Sequence, residues 1–331
     1  MSHLTYLEAA VVGLIQGVSE LFPVSSLGHN VLIPALIGGS WATDLNVAKP
    51  ESPYLAFIVG MHVATAIALL IYFWRDWIRI IGGFFSSIRD RRVETRDQRL
   101  AWMIILATIP VGLVGLVADK PFREIFGKPI VAGVFLIING VILYCGEKFR
   151  PRTSVWADQE AAALREEELV PAGPGMARQA RHASGQQAMR QEEVVLAVRA
   201  DERLSRMGSL QAVIIGTVQI FALLAGISRD GVTMVAGMAR GLSREDAARF
   251  AFLLATPIIL AAGVLEVPKL TGPLGNGIHG QILLGSVLSG VGAYLSVRFL
   301  MRYFQTRTLT PFAVYCLVFG LASVVYLGVI K

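Results

Sequence analysis

A short polar stretch, QGVSELFPVSSLGH, interrupts apolar sequence near the N-terminus of the chain. Gln16 and Glu20 are four residues apart, so a helix places both side chains on one face. Two hydroxyls, a glycine and an imidazole follow, at Ser25, Ser26, Gly28 and His29. A hydroxyl can attack phosphorus when a base takes its proton, and a carboxylate can be that base or hold a divalent cation.

A second polar stretch, GISRDGVTM, lies in the second half of the chain. It contributes a guanidinium, a carboxylate, a glycine and hydroxyls, at Ser228, Arg229, Asp230, Gly231 and Thr233. An arginine supplies paired donors to a phosphate, and the amides at a helix N-terminus favour anions further. The two stretches together predict phosphoryl chemistry, provided that the fold brings them to one place.

Each of these side chains also has a purely structural interpretation. Glu20 alone is compatible with a carboxylate near a helix end, and Arg229 alone with a side chain that snorkels to the membrane interface. The serines of the first stretch are common N-caps, and both His29 and His62 are compatible with polar packing residues in apolar sequence. The combination favours a site, because an ionisable group at membrane depth is costly and by default functional. His62 joins the substrate-binding candidates.

The composition predicts that these stretches lie in a membrane. Of 331 residues, 54% are hydrophobic and 16% are charged, and the mean hydropathy is +0.59. A soluble domain carries about a quarter charged residues. Six apolar runs approach the ~20 residues that cross a bilayer, and they cover about 54–74, 101–118, 129–145, 247–266, 281–300 and 311–330. In such a chain the net charge of +6 indicates orientation and not a nucleic-acid partner.

An internal repeat relates the two polar stretches. GLIQGVSELFPVSSLG (13–28) aligns with GTVQIFALLAGISRDG (216–231) at a constant offset of 203 residues. The identical pairs are Gly13 and Gly216, Gln16 and Gln219, Ser25 and Ser228, and Gly28 and Gly231. Each copy has two short apolar arms around a break, and three predicted spans follow each copy.

Each break exposes backbone amides, which a membrane tolerates only where protein or water buries them. We therefore predict two re-entrant helical hairpins, at 5–38 and 209–240, each followed by three transmembrane helices. Because three crossings is an odd number, the second half enters from the opposite face, which makes an inverted-topology repeat. The predicted fold is an all-α polytopic membrane protein with a first repeat at 1–145, a polar cytoplasmic insertion at 146–208 and a second repeat at 209–331.

Positive charges predict the orientation. The loop 75–99 is rich in arginine and is predicted to be cytoplasmic, and the insertion 146–208 falls on the same side with Arg298, Arg302 and Arg307. Both termini are then predicted to lie outside. The insertion shows no chemistry of its own, and we interpret it as a solvated linker in preference to a regulatory module.

With these features in place, the sequence resembles a known family, the bacitracin-resistance undecaprenyl-pyrophosphate phosphatases. One family motif is a Glu/Gln-rich helix that runs into Pro-Val-Ser-Ser-x-Gly-His, here QGVSELFPVSSLGH. The other is Pro-Gly-x-Ser-Arg-Ser-Gly-x-Thr, here AGISRDGVT. The length, the spans and FAFLLATPIILAAG after the second motif also match, so the resemblance covers most of the chain outside 146–208.

The resemblance implies a bacterial inner-membrane hydrolase that acts on a diphosphate anhydride. Such enzymes convert undecaprenyl pyrophosphate to the monophosphate and inorganic phosphate on the outer, periplasmic side, with magnesium or calcium. They recycle the carrier lipid of peptidoglycan synthesis and confer bacitracin resistance. Glu20 would then be the essential carboxylate, Ser26 the preferred nucleophile, and His29 the competing nucleophile or the acid. Arg229 would grip the pyrophosphate, and the substrate-binding candidates are Gln16, Ser25, Gly28, Ser228, Gly231, Thr233 and His62.

Three residues depart from the family pattern. Gln16 stands where many members have Glu, Ala225 replaces the usual Pro, and Asp230 replaces Ser beside the arginine. The first change reduces a carboxylate pair to one, and the third adds negative charge near an anionic substrate. We hypothesise that Glu20 and Asp230 bind the cation.

Two other functions compete with this interpretation. A transporter that binds or flips a polyprenyl phosphate has the same architecture, but it does not need Glu20, Ser26 and His29 beside an arginine. The other membrane phosphatase superfamily has Pro-Ser-Gly-His, and Ser-Arg followed by a distant histidine; Val235 stands where that histidine would be, which excludes it. The predicted partners are a polyprenyl pyrophosphate and membrane lipid, and a homodimer is a further hypothesis.

Overall fold

A computed structural model describes residues 4–45, 53–169, 203–205, 207–270 and 277–330. These ranges are mainly helical and contain no strand. In the first half, the helices are α1 (Tyr6–Leu21), α2 (Ser26–Ile37), α3 (Gly39–Asp44), α4 (Pro53–Tyr72), α5 (Trp74–Asp90), α6 (Arg96–Phe126), α7 (Pro129–Lys148) and α8 (Arg152–Leu169). In the second half, they are α9 (Ser209–Thr217), α10 (Arg229–Ala239), α11 (Arg244–Leu270), α12 (His279–Tyr303) and α13 (Thr310–Val325).

The first break separates α1 from α2. Thr5 caps the start of α1 in a capping box with Glu8, and α1 ends at Leu21, before the proline of the break. Ser25 is the N-cap of α2, and its hydroxyl accepts a hydrogen bond from the Gly28 amide at 3.2 Å. The φ of Ser25 is +69°, which is unusual for a residue other than glycine.

The second break has the same construction. After α9, the chain tightens into a 3₁₀ turn at Val218–Leu223 and passes through Gly226, whose φ is +110°. Ser228 is the N-cap of α10, and its hydroxyl accepts from the Gly231 amide at 3.2 Å. The serine and the glycine that the repeat matches therefore make the same capping hydrogen bond in both halves.

The two breaks touch each other at two glycines. A methyl group on Gly28 would lie 2.9 Å from the Cα of Gly226, and one on Gly226 would overlap the carbonyl oxygen of Ala132 on α7. The Gly226 amide also donates to the Ser25 hydroxyl at 3.2 Å. Close backbone approach thus brings the polar residues of both stretches together.

Within the described residues, five helices are long and apolar enough to cross a membrane: Arg96–Ala118, Pro129–Lys148, Arg244–Leu265, His279–Tyr303 and Thr310–Val329. In α4, the part Gly60–Tyr72 counts as a shorter apolar helix, so that span stays a prediction. Many apolar side chains of these helices face outward, and Val117 is 83% exposed. Such an apolar exterior suits lipid and not water, and the chain is an all-helical, multi-pass membrane protein.

Small residues allow close contacts between the halves. On α1, a methyl group at Gly13 would lie 2.6 Å from the Gly285 carbonyl oxygen of α12. On α9, a methyl group at Gly216 would overlap the Ala107 carbonyl oxygen of α6. Helices in membranes commonly associate through such small residues. The first arm of each hairpin therefore packs on a span of the other half.

The segment 75–99, predicted as a loop, contains most of α5. Its apolar residues recur with helical spacing, and Ile78 and Phe85 are exposed on one side. The opposite side packs inward, because Arg249 pairs with Asp76 at 2.9 Å. The prediction of a loop relied on the arginine content of this segment and did not take the helical spacing of its apolar residues into account.

The insertion 146–208 begins with structure that is docked on the second half. Ser154 of α8 donates to the Leu242 carbonyl oxygen at 2.6 Å, and Asp158 pairs with Arg244. The prediction of a linker falls largely on residues outside the described ranges. The described start of the insertion is fixed by these contacts.

Candidate active site

Glu20 is the centre of the polar cluster. It lies in the last turn of α1 and is buried. Its Oε1 accepts a hydrogen bond from Arg229 Nη2 at 2.6 Å, and its Oε2 accepts from Gln16 Nε2 at 2.8 Å and from the Ser26 hydroxyl. His62 Nε2 lies 3.3 Å from the same oxygen. One carboxylate therefore contacts an amide, a hydroxyl, an imidazole and a guanidinium.

The repeat explains why a serine and an arginine reach the same carboxylate. Ser26 and Arg229 are matched by the offset of 203 and are the first residues of α2 and α10. Both side chains bind Glu20. The N-terminal residues of the two helices therefore meet at Glu20, where the helix dipoles and the guanidinium would favour a phosphate.

A pair of amides fixes the orientation of Gln16. Its Nε2 donates to Glu20, and its Oε1 accepts from Asn30 Nδ2 at 2.6 Å. Asn30 is four residues after Ser26 on α2, so both face α1. The sequence reasoning missed Asn30, although this spacing was a signal. An amide at position 16 can donate to Glu20, which a second carboxylate could not do in its ionised form.

His62 on α4 is oriented by its own helix. Its Nδ1 contacts the Ile58 carbonyl oxygen at 2.9 Å, which requires a proton on Nδ1 and directs Nε2 to Glu20. The structure thus brings five of the predicted site residues into one contact network: Gln16, Glu20, Ser26, His62 and Arg229.

His29 and Ser25 point elsewhere. His29 Nδ1 contacts the Ser25 carbonyl oxygen at 2.7 Å, and Nε2 contacts the Tyr315 hydroxyl at 2.8 Å. The imidazole also stacks on Tyr315 and Phe319 of α13. The Ser25 hydroxyl accepts from the amides of both breaks. Among the described contacts, neither residue binds Glu20.

The candidates of the second stretch stabilise the start of α10. The Ser228 hydroxyl caps this helix through Gly231, and the Thr233 hydroxyl donates to the Arg229 carbonyl oxygen at 2.7 Å. A methyl group on Gly231 would lie 3.3 Å from Pro23 Cβ, so this glycine also allows the breaks to meet.

Asn139 on α7 joins the two breaks and was missed in the sequence. Its Oδ1 accepts from the Ser228 amide at 2.9 Å, and its Nδ2 donates to the Pro23 carbonyl oxygen at 3.0 Å. The side chain is fully buried. A lone amide in the apolar run 129–145 was the available signal, because a polar group at membrane depth is costly unless it has partners.

Comparison of the chain with known proteins shows its family. Residues 9–322 match the family model described as Bacitracin resistance protein BacA. The chain belongs to the BacA family. It is 58% identical over 327 residues to "Undecaprenyl-diphosphatase" of Mycolicibacterium paratuberculosis, which covers 99% of each chain. It is also 53% identical to "Undecaprenyl-diphosphatase 2" of Frankia alni over 97% of each chain, and 39% identical to "Undecaprenyl-diphosphatase 2" of Burkholderia lata over 93% of this chain and 92% of the relative.

Asp230 is a buried carboxylate beside the Glu20 cluster of this BacA-family chain. It is completely buried, and neither of its carboxylate oxygens has a hydrogen-bond partner within the described structure. Arg229 Nε lies 3.6 Å from Asp230 Oδ1 and also lacks a hydrogen bond there. One guanidinium thus lies between the carboxylates of Glu20 and Asp230.

Asp230 offers donor atoms of the kind that a divalent cation shared with a substrate would need. Within the described residues there is no group of three or more His, Cys, Asp or Glu side chains that could hold a metal. Mg²⁺, however, is commonly bound by one or two carboxylates together with substrate phosphates and water. The two unbonded oxygens of Asp230 are suitable donors for such a cation.

Proposed function

We propose that this chain is an integral membrane phosphatase that hydrolyses undecaprenyl diphosphate to undecaprenyl phosphate and inorganic phosphate. The decisive observation is that Glu20 contacts both the Ser26 hydroxyl and the Arg229 guanidinium. A base, a nucleophile and a guanidinium that can bind phosphate are then adjacent. The family and the names of the relatives support the same reaction.

Ser26 is the nucleophile in this proposal. Glu20 Oε2 takes the hydroxyl proton as Oγ bonds to the terminal phosphorus. The anhydride P–O bond breaks, and its electron pair leaves with the lipid monophosphate. The protonated Glu20 gives this proton to the departing monophosphate oxygen. As a carboxylate again, Glu20 takes a proton from the water that attacks the phosphoserine, and it returns that proton to Oγ as the P–Oγ bond breaks and inorganic phosphate leaves. Ser26 is favoured over His29 because both ring nitrogens of His29 are already engaged.

Arg229 exchanges partners when substrate binds. Its Nη2 is paired with Glu20 in the present arrangement, and a phosphate competes for it with paired acceptor oxygens. The exchange frees Glu20 Oε1 and places positive charge beside the phosphoryl oxygens. The N-termini of α2 and α10 add amide dipoles at the same place, which stabilises charge that develops in the transition state.

Glu20 and Asp230 would hold a divalent cation, magnesium or calcium, jointly with the diphosphate. When bound, such a cation neutralises phosphate charge and polarises the phosphorus–oxygen bonds. The buried, unbonded carboxylate of Asp230 supports this assignment. His62 and Gln16 keep the Glu20 carboxylate oriented toward Ser26.

The inverted repeat is part of the proposal. Gly13 of α1 packs on α12 and Gly216 of α9 packs on α6, so the two halves make equivalent contacts with each other, which supports a repeat. The helices α7 and α13 are in contact through small residues, with Gly133 against Gly320 and Gly140 against Ala313. The residue numbers rise on α7 as they fall on α13, so these helices run antiparallel. We place the protein in the bacterial inner membrane, with the site open to the outer side.

A transporter of polyprenyl phosphate is the less favoured function. The three relatives described above have diphosphatase names, and a carrier does not need a serine hydrogen-bonded to a carboxylate beside the phosphate position. Phosphate release from a polyprenyl diphosphate by the purified protein separates the two functions. We expect release that EDTA abolishes and magnesium restores. Bound but unhydrolysed lipid would favour the transporter.

A further inference from the structure

A cavity of about 430 Å³ lies at the C-terminal end of α12, apart from the contact network of Glu20. Its lining residues are Leu295, Arg298, Phe299, Arg302, Tyr303, Thr306 and Arg307. Three of the seven are arginines, and the lining contains no acidic residue. This end of the bundle is therefore positively charged at the cavity.

The cavity has an apolar half and a basic half. Leu295 and Phe299 are 59% and 51% exposed, and they are four residues apart on one face of α12. Arg302 and Arg307 follow at the end of the helix and in the next turn. Along the helix, a ligand would thus meet an apolar surface first and guanidinium groups beyond it.

Nearby acidic side chains are committed to other partners. Glu147 pairs with Arg244 and accepts from the Leu309 amide at 3.1 Å. Glu245 accepts from Gln305 Nε2 at 3.2 Å. These contacts bind the chain after α12 to α7 and α11. Neither carboxylate is part of the described lining of the cavity.

We propose that this cavity binds the headgroup of an anionic membrane phospholipid. The phosphate lies among the guanidinium groups, which suit phosphate oxygens, and an acyl chain lies on Leu295 and Phe299. Basic pockets at the ends of transmembrane helices are typical sites for anionic lipids. The lipid site is separate from the proposed active site, because none of its lining residues contacts Glu20, Ser26 or Arg229 among the described contacts.

The position of the cavity connects it to the first break. Phe299 stacks on Phe22 with ring centroids 5.9 Å apart, and Phe22 directly follows α1, two residues after Glu20. A lipid chain on Phe299 therefore adds packing beside the residue that leads into the break.

Native mass spectrometry of the full chain in detergent tests the site with phosphatidylglycerol and phosphatidylcholine as probes. We expect the wild type to retain phosphatidylglycerol in preference to phosphatidylcholine. Arg298→Gln and Arg307→Gln should each weaken phosphatidylglycerol binding about fivefold, and Phe299→Ala should weaken binding of the lipid as well. Arg240→Gln is the matched control, since Arg240 is an exposed arginine outside the cavity.

Equal retention of the two lipids would overturn the proposal, and so would unchanged binding in both arginine variants. Displacement of the lipid by inorganic phosphate, without any effect of Phe299→Ala, would overturn it in favour of a free-anion site. A separate measurement of phosphate release from polyprenyl diphosphate, with phosphatidylcholine as the only phospholipid, tests the proposed function apart from the lipid site. If the wild type releases no phosphate there, the proposed hydrolysis is wrong. The lipid-binding results decide the lipid site in either case.

Discussion

At the scale of single residues, the centre of the site is the buried carboxylate of Glu20, whose two oxygens have different partners. Glu20 binds Arg229 through one oxygen and Gln16 and Ser26 through the other. A base that already shares a hydrogen bond with the nucleophile needs no rearrangement to accept its proton. In our proposal the Arg229 guanidinium changes partner when the diphosphate binds, so that substrate binding and activation of the serine are coupled through Glu20.

Spacing alone predicted part of this cluster. Gln16 and Glu20 share a helical face, and the hydrogen bond between them is the contact that the spacing implies. The direction of His29 could not be predicted, because the rotation of α2 relative to α13 depends on packing. That rotation directs the imidazole to Tyr315 and directs Ser26 and Asn30 to α1.

Asp230→Asn tests the cation assignment. The amide has nearly the same shape but lacks the negative charge, so we expect the magnesium concentration for half-maximal phosphate release to rise about tenfold or more. A magnesium titration of phosphate release measures this, and magnesium binding followed by calorimetry gives a second readout. Asp90→Asn is the control, because Asp90 is exposed at the end of α5. An unchanged magnesium requirement would contradict the assignment.

At the scale of elements, two interrupted helices meet at their breaks and are held there by α7. Asn139 bonds to both breaks, and Gly226 lies against Ala132, which is about two helical turns before Asn139 on α7. The positions of the breaks were predictable from Pro23, the serines and the glycines. The role of α7 could not be predicted, because it depends on contacts between segments that are distant in the sequence. The one signal of these contacts in the sequence is a lone amide in an apolar run.

Gly226→Ala should be strongly destabilising. The residue has a positive φ and a methyl group there would overlap the Ala132 carbonyl oxygen, so strain and overpacking together should cost on the order of 3 kcal/mol. Thermal unfolding in detergent should show a lower melting temperature, and phosphate release should fall with it. Gly115→Ala on α6 is the matched control, since nothing lies within 4 Å of its position. Equal melting temperatures for both variants would contradict this account of the breaks.

At the scale of the whole molecule, the two halves exchange partners across the bundle. The first arm of each hairpin packs on a span of the other half, through matched glycines at 13 and 216. The sequence predicted two hairpins and three spans per half, but it did not predict which helices of the two halves are in contact. The amphipathic helix α5 and the docked start of α8 were not among the predicted hairpins and spans.

Reporter fusions test the inverted topology. Three crossings in each half should leave both termini on the outer side of the membrane and the segments 75–99 and 146–208 inside. Alkaline phosphatase should therefore be active when fused at either end, and inactive when fused within 75–99. Activity at one terminus and not at the other would show an odd number of crossings in total, which an inverted repeat of this type excludes.

The central claim is that the Ser26 hydroxyl attacks the terminal phosphate, and phosphate release from polyprenyl diphosphate by Ser26→Ala tests it most directly. Ser19→Ala is the matched control, because Ser19 is a buried serine of α1 whose hydroxyl donates to the Ile15 carbonyl oxygen at 2.6 Å. We predict that Ser26→Ala lowers the rate by at least about a thousandfold with an unchanged melting temperature. Ser19→Ala should stay within a few-fold of the wild type. Wild-type rates in Ser26→Ala would contradict the account and return the role of nucleophile to His29 or water.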